Sequence, residues 1–299
     1  MSGFGIPSMV KAIVKKFLTS LGIKPAAAVE RIGQWSIGRA LAQSGLNAMT
    51  ARLEAIVPDI SGQYSREEEH GDYWQIKVRG LHAFQTALML KALEETTSGD
   101  LTVVDIGDSA GTHMLYLANL AGDGRKLETI SVNLDPRAVA KIAAKGLKAI
   151  LCRAEDLDLG PERAVDLFTS FEMVEHLHNP AIFFRRLAKK SRGNLMAITV
   201  PYLKKSRVGL YHIRNPSHAR IFAEDEHIFE LSPQDWTLLL LHSGWKVARS
   251  EVYYQYPRKI PILSLILACF WRHVDYEGFW GAILEKDTSL SDLYQDWED

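Results

Sequence analysis

Between residues 101 and 252, short β-branched runs alternate with helix-forming runs at a spacing that few folds can accommodate. "LTVVDI", "ETISVNL", "LKAILC", "VDLFTS" and "NLMAITV" read as strands, the last stopped by Pro201. "THMLYLANL", "PRAVAKIAAKG", "AIFFRRLAKK" and "PQDWTLLLLHSG" read as helices, and "WKVARSEV" closes the series. Pro136 opens one helix and Gly146 ends it, while Ser232 caps another that Gly244 terminates. This alternation predicts an α/β fold: an open, largely parallel sheet with helices on both faces. Ligands of such sheets bind at the carboxyl ends of the strands.

The sharpest local signal lies at one such strand end, in "VVDIGDSAGTH", residues 103 to 113. An apolar strand runs through Asp105 into a tight loop with Gly107, Ser109 and Gly111, and a helix follows. The glycines let the backbone turn sharply and approach a ligand closely. The helix N-terminus offers free N–H groups to a polar or anionic ligand. The spacing departs from the G-x-G-x-x-G of a dinucleotide fingerprint, which disfavours a nicotinamide dehydrogenase.

The loop resembles the first motif, D-x-G-x-G-x-G, of class I S-adenosylmethionine-dependent methyltransferases, with Ser109 in place of the middle glycine. The later segments "SVNLDPRAV", "CRAEDLDL", "DLFTSFEMVEHLHNP", "MAITVPYL" and "DEHIFELSPQDWTLLLLHSGWKV" also resemble that family, in its order and spacing. The resemblance implies a Rossmann-like sheet, mostly parallel with seven strands, and S-adenosyl-L-methionine as cofactor. It implies that Gly107 and Gly111 wrap the amino-acid end of the cofactor while Asp105 orients it. The family's ribose-binding acid falls on Asn133, with Asp135 two residues on, and either could serve. Ala154 and Glu155 would face the adenine, although Arg153 replaces the usual acid. Phe171 and Glu172 would lie beside the sulfonium.

Glu172, Glu175 and His176 cluster after the fourth strand, and His227 follows in "DEHIF". Methyl transfer to a hydroxyl needs help with the hydroxyl proton, from a general base or a metal ion. Glu175 and His176 are therefore candidate catalytic residues. Glu172, Glu175, His176 and His227 form a candidate site for Mg²⁺ or a softer divalent ion. The segment resembles ubiquinone-biosynthesis-type O-methyltransferases and, more distantly, small-RNA 2′-O-methyltransferases, both with E-x-x-E-H here. The function expected is methyl transfer to a hydroxyl of a small-molecule or glycan-type acceptor. The alternatives are an RNA 2′-O-methyltransferase and a non-catalytic scaffold on the same fold. A near-balanced charge of −1 and no recognisable RNA-binding module weigh against RNA.

The insertion "YLKKSRVGLYHIRNPSHARIF" holds five Lys or Arg and no acid. Arg214 and Arg220 are its candidate acceptor clamp, because guanidinium forks suit phosphate or carboxylate. Three stretches are expected: a helical extension and cap over 1–99, the methyltransferase domain over 100–256, and an apolar segment with acidic tail over 257–299. The first contains a run at 10–21 with apolar residues at helical spacing and lysines on the other face, and a second apolar-periodic run from Ile32 to Val57. "ILSLILACFW" is either the last strand or a helix. No apolar run reaches the roughly 18 residues of a membrane span, though peripheral contact through 9–24 or 260–273 stays open. The two cysteines, Cys152 and Cys269, make no disulfide framework, so a reducing, cytoplasmic location is expected.

Overall fold

A computed structural model describes residues 25–63, 71–96, 99–121, 124, 126–160, 163–208, 227–274 and 276–294. Three helices come first: α1 (Pro25–Gln43), α2 (Asn47–Ile56) and α3 (Asp72–Glu94). The alternating part contributes β1 (Leu101–Ile106), α4 (Thr112–Leu120), β2 (Leu127–Asn133), α5 (Pro136–Ala144), β3 (Lys148–Leu151) and β4 (Leu167–Phe171). It continues with α6 (Pro180–Lys190), β5 (Leu195–Pro201), β6 (Arg207–Val208), β7 (Phe229–Glu230), α7 (Pro233–His242) and β8 (Trp245–Tyr254). Helix α8 (Pro261–Val274) and strand β9 (Gly278–Lys286) complete it.

Seven strands form one sheet in the order β3-β2-β1-β4-β5-β9-β8, and β6 pairs with β7 as a separate short ribbon. The five strands from β3 to β5 are mutually parallel, and β9 runs antiparallel between β5 and β8. This is the Rossmann-like methyltransferase sheet, with helices α1–α3 preceding it. Helices α5, α6 and α7 each begin with a proline behind a side-chain cap. Asp135, Asn179 and Ser232 accept the N–H groups of Arg137, Ile182 and Asp235 respectively.

Alternation along the strands splits the core. Val104, Ile106 and Phe168 pack with Phe183, Phe184, Trp236 and Leu240 of α6 and α7. Val103, Leu167 and Ala197 pack on the other face with Leu88, Met89 and Leu117 of α3 and α4. A third cluster joins α1, α3 and α8 through Ile37, Leu81, Phe84, Leu267 and Trp271.

Of the two alternatives for "ILSLILACFW" the helix is the one that forms, and the last strand comes from "GFWGAILEK" inside the stretch read as an acidic tail. That strand is almost wholly buried between β5 and β8, so residues 257–299 complete the sheet. The run from Ile32 to Val57 is two helices, broken where Leu46 N–H turns back to the Leu41 carbonyl at 3.0 Å. The basic run at 10–21 lies outside the described residues.

Candidate active site

The loop after β1 is fixed mainly by a residue that motif reading passed over. Asp108 is buried, and its Oδ1 accepts the N–H groups of Ala110 and Gly111 at 3.0 and 2.7 Å. Its Oδ2 accepts the Ser131 hydroxyl at 2.6 Å, so the side chain ties the loop to β2. The only local signal was Asp followed by Ser-Ala-Gly, which suits an Asp side chain folding back onto its own turn. Gly107 (φ +96°) and Gly111 (φ +73°) adopt backbone that L side chains resist. A Cβ on Gly107 would stand 2.5 Å from Met173, and one on Gly111 2.6 Å from Leu147. Ser109 Oγ meets Gln63 Nε2 at 3.4 Å.

The loop opens into a cleft of about 760 Å³. Asp105, Gly107, Ser109, Asn133, Asp135, Ala154, Glu155, Phe171 and Glu172 all line it, as do His176 and His227, whereas Gly111 does not. The bare backbone at Gly107 and this lining fit the amino-acid, ribose and adenine portions of S-adenosylmethionine. Asn133 is already engaged. Its Nδ2 donates to the Asp108 carbonyl at 2.9 Å, and its Oδ1 accepts the Asp135 N–H at 2.8 Å. Asp135 caps α5 and pairs with exposed Arg137 at 2.8 Å. Arg153 lies 3.4 Å from Glu155.

At the end of β4 the chain turns through Glu172, whose φ of +50° is the one left-handed value outside glycine among the described residues. A short 3₁₀ turn, Val174–His176, then brings Glu175 and His176 up to His227, which lies just ahead of β7. One ligand atom each from Glu175, His176 and His227 lies within 4.8 Å of the others. Glu172, expected in the same set, is not among them. The two imidazoles meet edge to face at 4.6 Å.

Glu175 is 0% exposed and absent from the cleft wall, and neither carboxyl oxygen has a hydrogen-bond partner among the described residues. Burial, then the Glu172 and Glu230 carboxylates, push its pKa well above the usual range. Glu230 behaves oppositely. Burial pushes it up, but hydrogen bonds from His227 and Arg207 outweigh that and hold it below its ordinary value. Tyr276 Oη donates to Glu230 at 3.0 Å and meets His227 Nδ1 at 2.6 Å.

A second polar group sits deeper, between α3 and α4. His113 hydrogen-bonds Gln85 Oε1 at 2.9 Å, and Gln85 Nε2 donates to Thr199 at 2.9 Å. His113 Nδ1 stands 3.9 Å from Asp105, which accepts the Thr169 hydroxyl at 2.8 Å. Burial holds the His113 pKa down at about 4, and burial with the His113 charge holds His82 well below its usual value. Asp105 is pushed well up by burial and by Asp108. His82, Gln85 and His113 all reach the cleft wall, yet no contiguous motif holds them. The candidate clamp residues Arg214 and Arg220 lie outside the described residues.

Residues 104–194 match the family described as "Methyltransferase domain". A Mycobacterium tuberculosis protein described as a probable S-adenosylmethionine-dependent methyltransferase is 28% identical over 120 residues, which is 40% of either chain. The same match recurs in a second strain, and this chain therefore aligns with about 40% of the length of these curated relatives. A solved Burkholderia thailandensis 1,6-didemethyltoxoflavin-N1-methyltransferase, holding its acceptor and S-adenosylhomocysteine, superposes with a TM-score of 0.51 at 15% identity. That match covers 80% of this chain and 88% of the other. The [4+2]-cyclase SpnF superposes at 0.50 with 14% identity, covering 80% and 93%. These solved structures share the fold, and the cyclase shows that the fold alone does not fix the chemistry. The family match falls on the strands and loops that build the cleft.

Proposed function

We propose that this protein transfers the methyl group of S-adenosylmethionine to a hydroxyl of a small-molecule or glycan-type acceptor. The observation that carries the reading is one cleft with a hydrogen-bonded glycine loop and an imidazole pair in its wall. When bound, the cofactor supplies a methyl on a sulfonium, already activated for in-line displacement. The chain's part is alignment and proton handling. His227 and His176, paired in the cleft wall, are the groups suited to accept the acceptor's proton. Glu175, buried and biased toward its neutral form, sits behind them as the positioning residue. Arg214 and Arg220 remain the proposed anionic clamp on sequence grounds.

The convergence of Glu175, His176 and His227 favours a second version of the same reading, in which the three hold a divalent cation. Two imidazoles with one carboxylate suit manganese, iron or zinc better than magnesium, which prefers oxygen ligands. The test is incubation with methyl-labelled cofactor and fractionated cell extract, with and without chelator. Label should enter a small-molecule or glycan fraction. Failure of every fraction to take up label, with cofactor binding intact, would return the protein to the scaffold alternative.

A further inference from the structure

Helix α8 is apolar all round yet lies at the surface. Ser264, Leu267, Ala268 and Trp271 face inward, and the Trp271 indole donates to Ser36 of α1 at 3.0 Å. On the opposite face Ile262, Leu265 and Ile266 are 79, 70 and 60% exposed. A solvated helix normally turns charge outward, so three exposed branched residues at this spacing mark an interaction surface. Alongside, α1 exposes Ile32 and Trp35. Gln43 of α1 accepts the Arg258 N–H at 2.8 Å, so the two helices run antiparallel as one pair.

Charge indicates the occupant. From Arg258 to Val274 the chain carries Arg258, Lys259 and Arg272 and no acid. Lys259 is exposed, Arg258 stacks 4.1 Å over the Tyr254 ring, and Arg272, paired with Glu277 at 2.7 Å, is still 57% exposed. The stripe thus has cations at both ends. A second copy docking through this face would bring these cations against their own equivalents, whereas an anionic surface neutralises them. Helix α8 has 14 residues, about 21 Å at 1.5 Å each, too short for a hydrocarbon core of about 30 Å. No helix among the described residues is long and apolar enough to cross a membrane.

We propose that α8 lies flat on an anionic lipid surface, with Ile262, Leu265 and Ile266 inserted among the acyl chains and Arg258 and Lys259 at the headgroups. The inference stands independently of the methyl-transfer reading. The test is flotation of the full chain with phosphatidylcholine vesicles containing roughly one quarter phosphatidylglycerol, and with phosphatidylcholine alone. The anionic vesicles should carry about tenfold more protein, and raised salt should narrow that difference. The variant Ile262→Asp/Leu265→Asp/Ile266→Asp should lose about tenfold in bound fraction, with melting temperature and cofactor binding unchanged. Ile262→Asp alone, at the most exposed position, should lose a smaller part of it. Absence of flotation overturns the proposal. Flotation unchanged in the triple variant also overturns it and moves the contact elsewhere, for example to residues 1–24 with Lys11, Lys15 and Lys16. A dimer that the triple variant dissolves, without flotation, would assign the stripe to a second copy.

Discussion

The glycine loop after β1 and the acid–imidazole turn after β4 border one cleft but are built on opposite principles. In the loop, both oxygens of Asp108 are occupied, and Asn133 uses its donor and its acceptor. At the turn, Glu175 is fully buried with neither oxygen hydrogen-bonded among the described residues, and two more carboxylates raise its pKa. A buried carboxyl group without partners costs stability. The loop is therefore rigid before any ligand arrives, whereas the turn holds a polarity that is useful only against a proton or a cation. On the proposed function, binding belongs to the first region and chemistry to the second.

The loop should break most severely. Gly107→Arg puts a side chain where even a Cβ stands 2.5 Å from Met173, and calorimetry should show no cofactor binding. Asp108→Ala leaves two loop N–H groups and the Ser131 hydroxyl without their acceptor, which should cost about 3 kcal/mol in denaturant unfolding. Full cofactor affinity in both variants would show that the loop is only a strand-to-helix turn.

The turn should respond differently. Glu175→Gln removes a charge that burial already opposes, so stability should hold or rise while methyl transfer falls at least about tenfold. Cofactor affinity should be unchanged, which separates this variant from those of the loop. If the three residues hold a cation, exhaustive chelation of the unmutated protein should produce the same loss, and manganese should reverse it. Full activity in Glu175→Gln would leave proton handling to the two histidines alone.

These regions also differ in how far they were legible in the sequence. The strands, Gly107 and the capped starts at Pro136 and Ser232 were legible because each is a local preference. The role of Asp108 was not, since it depends on Ser131 arriving from the next strand. Strand β9 was hidden because Glu277, Glu285 and Asp287 around it dominate the composition, while its antiparallel place between β5 and β8 is a long-range choice. The residues Glu175, His176 and His227 were named in advance, but not which of them would face the cleft. The group of His82, Gln85 and His113 went unread because it is assembled across two helices.

That buried group predicts a pH effect. Its two imidazoles bind protons less readily folded than unfolded, so their stabilising effect is present above about pH 6.5 and is lost as pH falls toward 4. Asp105, whose pKa is raised, works in the opposite sense, which makes the raw acid titration a mixture. His113→Gln isolates one ring. The melting-temperature advantage of the unmutated protein over this variant should shrink steadily between pH 6.5 and pH 4. A constant difference would mean that folding leaves the proton affinity of His113 unchanged.

The smallest expected effect tests why Asn133 stands where the resembled family usually carries an acid. The acid's advantage would be a charged grip on the ribose hydroxyls. Here, however, the side-chain amide donates to the Asp108 carbonyl while its oxygen accepts the Asp135 N–H. Asn133→Asp would keep the acceptor and lose the donor, setting a carboxylate against a carbonyl oxygen that now lacks its partner. The loop would lose one of its ties to β2, with Ser131–Asp108 remaining. Cofactor affinity should therefore fall by about threefold to tenfold, the size of one neutral hydrogen bond. A rise in affinity would show that ribose contact outweighs loop rigidity. The contrast between a prebuilt binding half and a reactive half would then need redrawing at this residue.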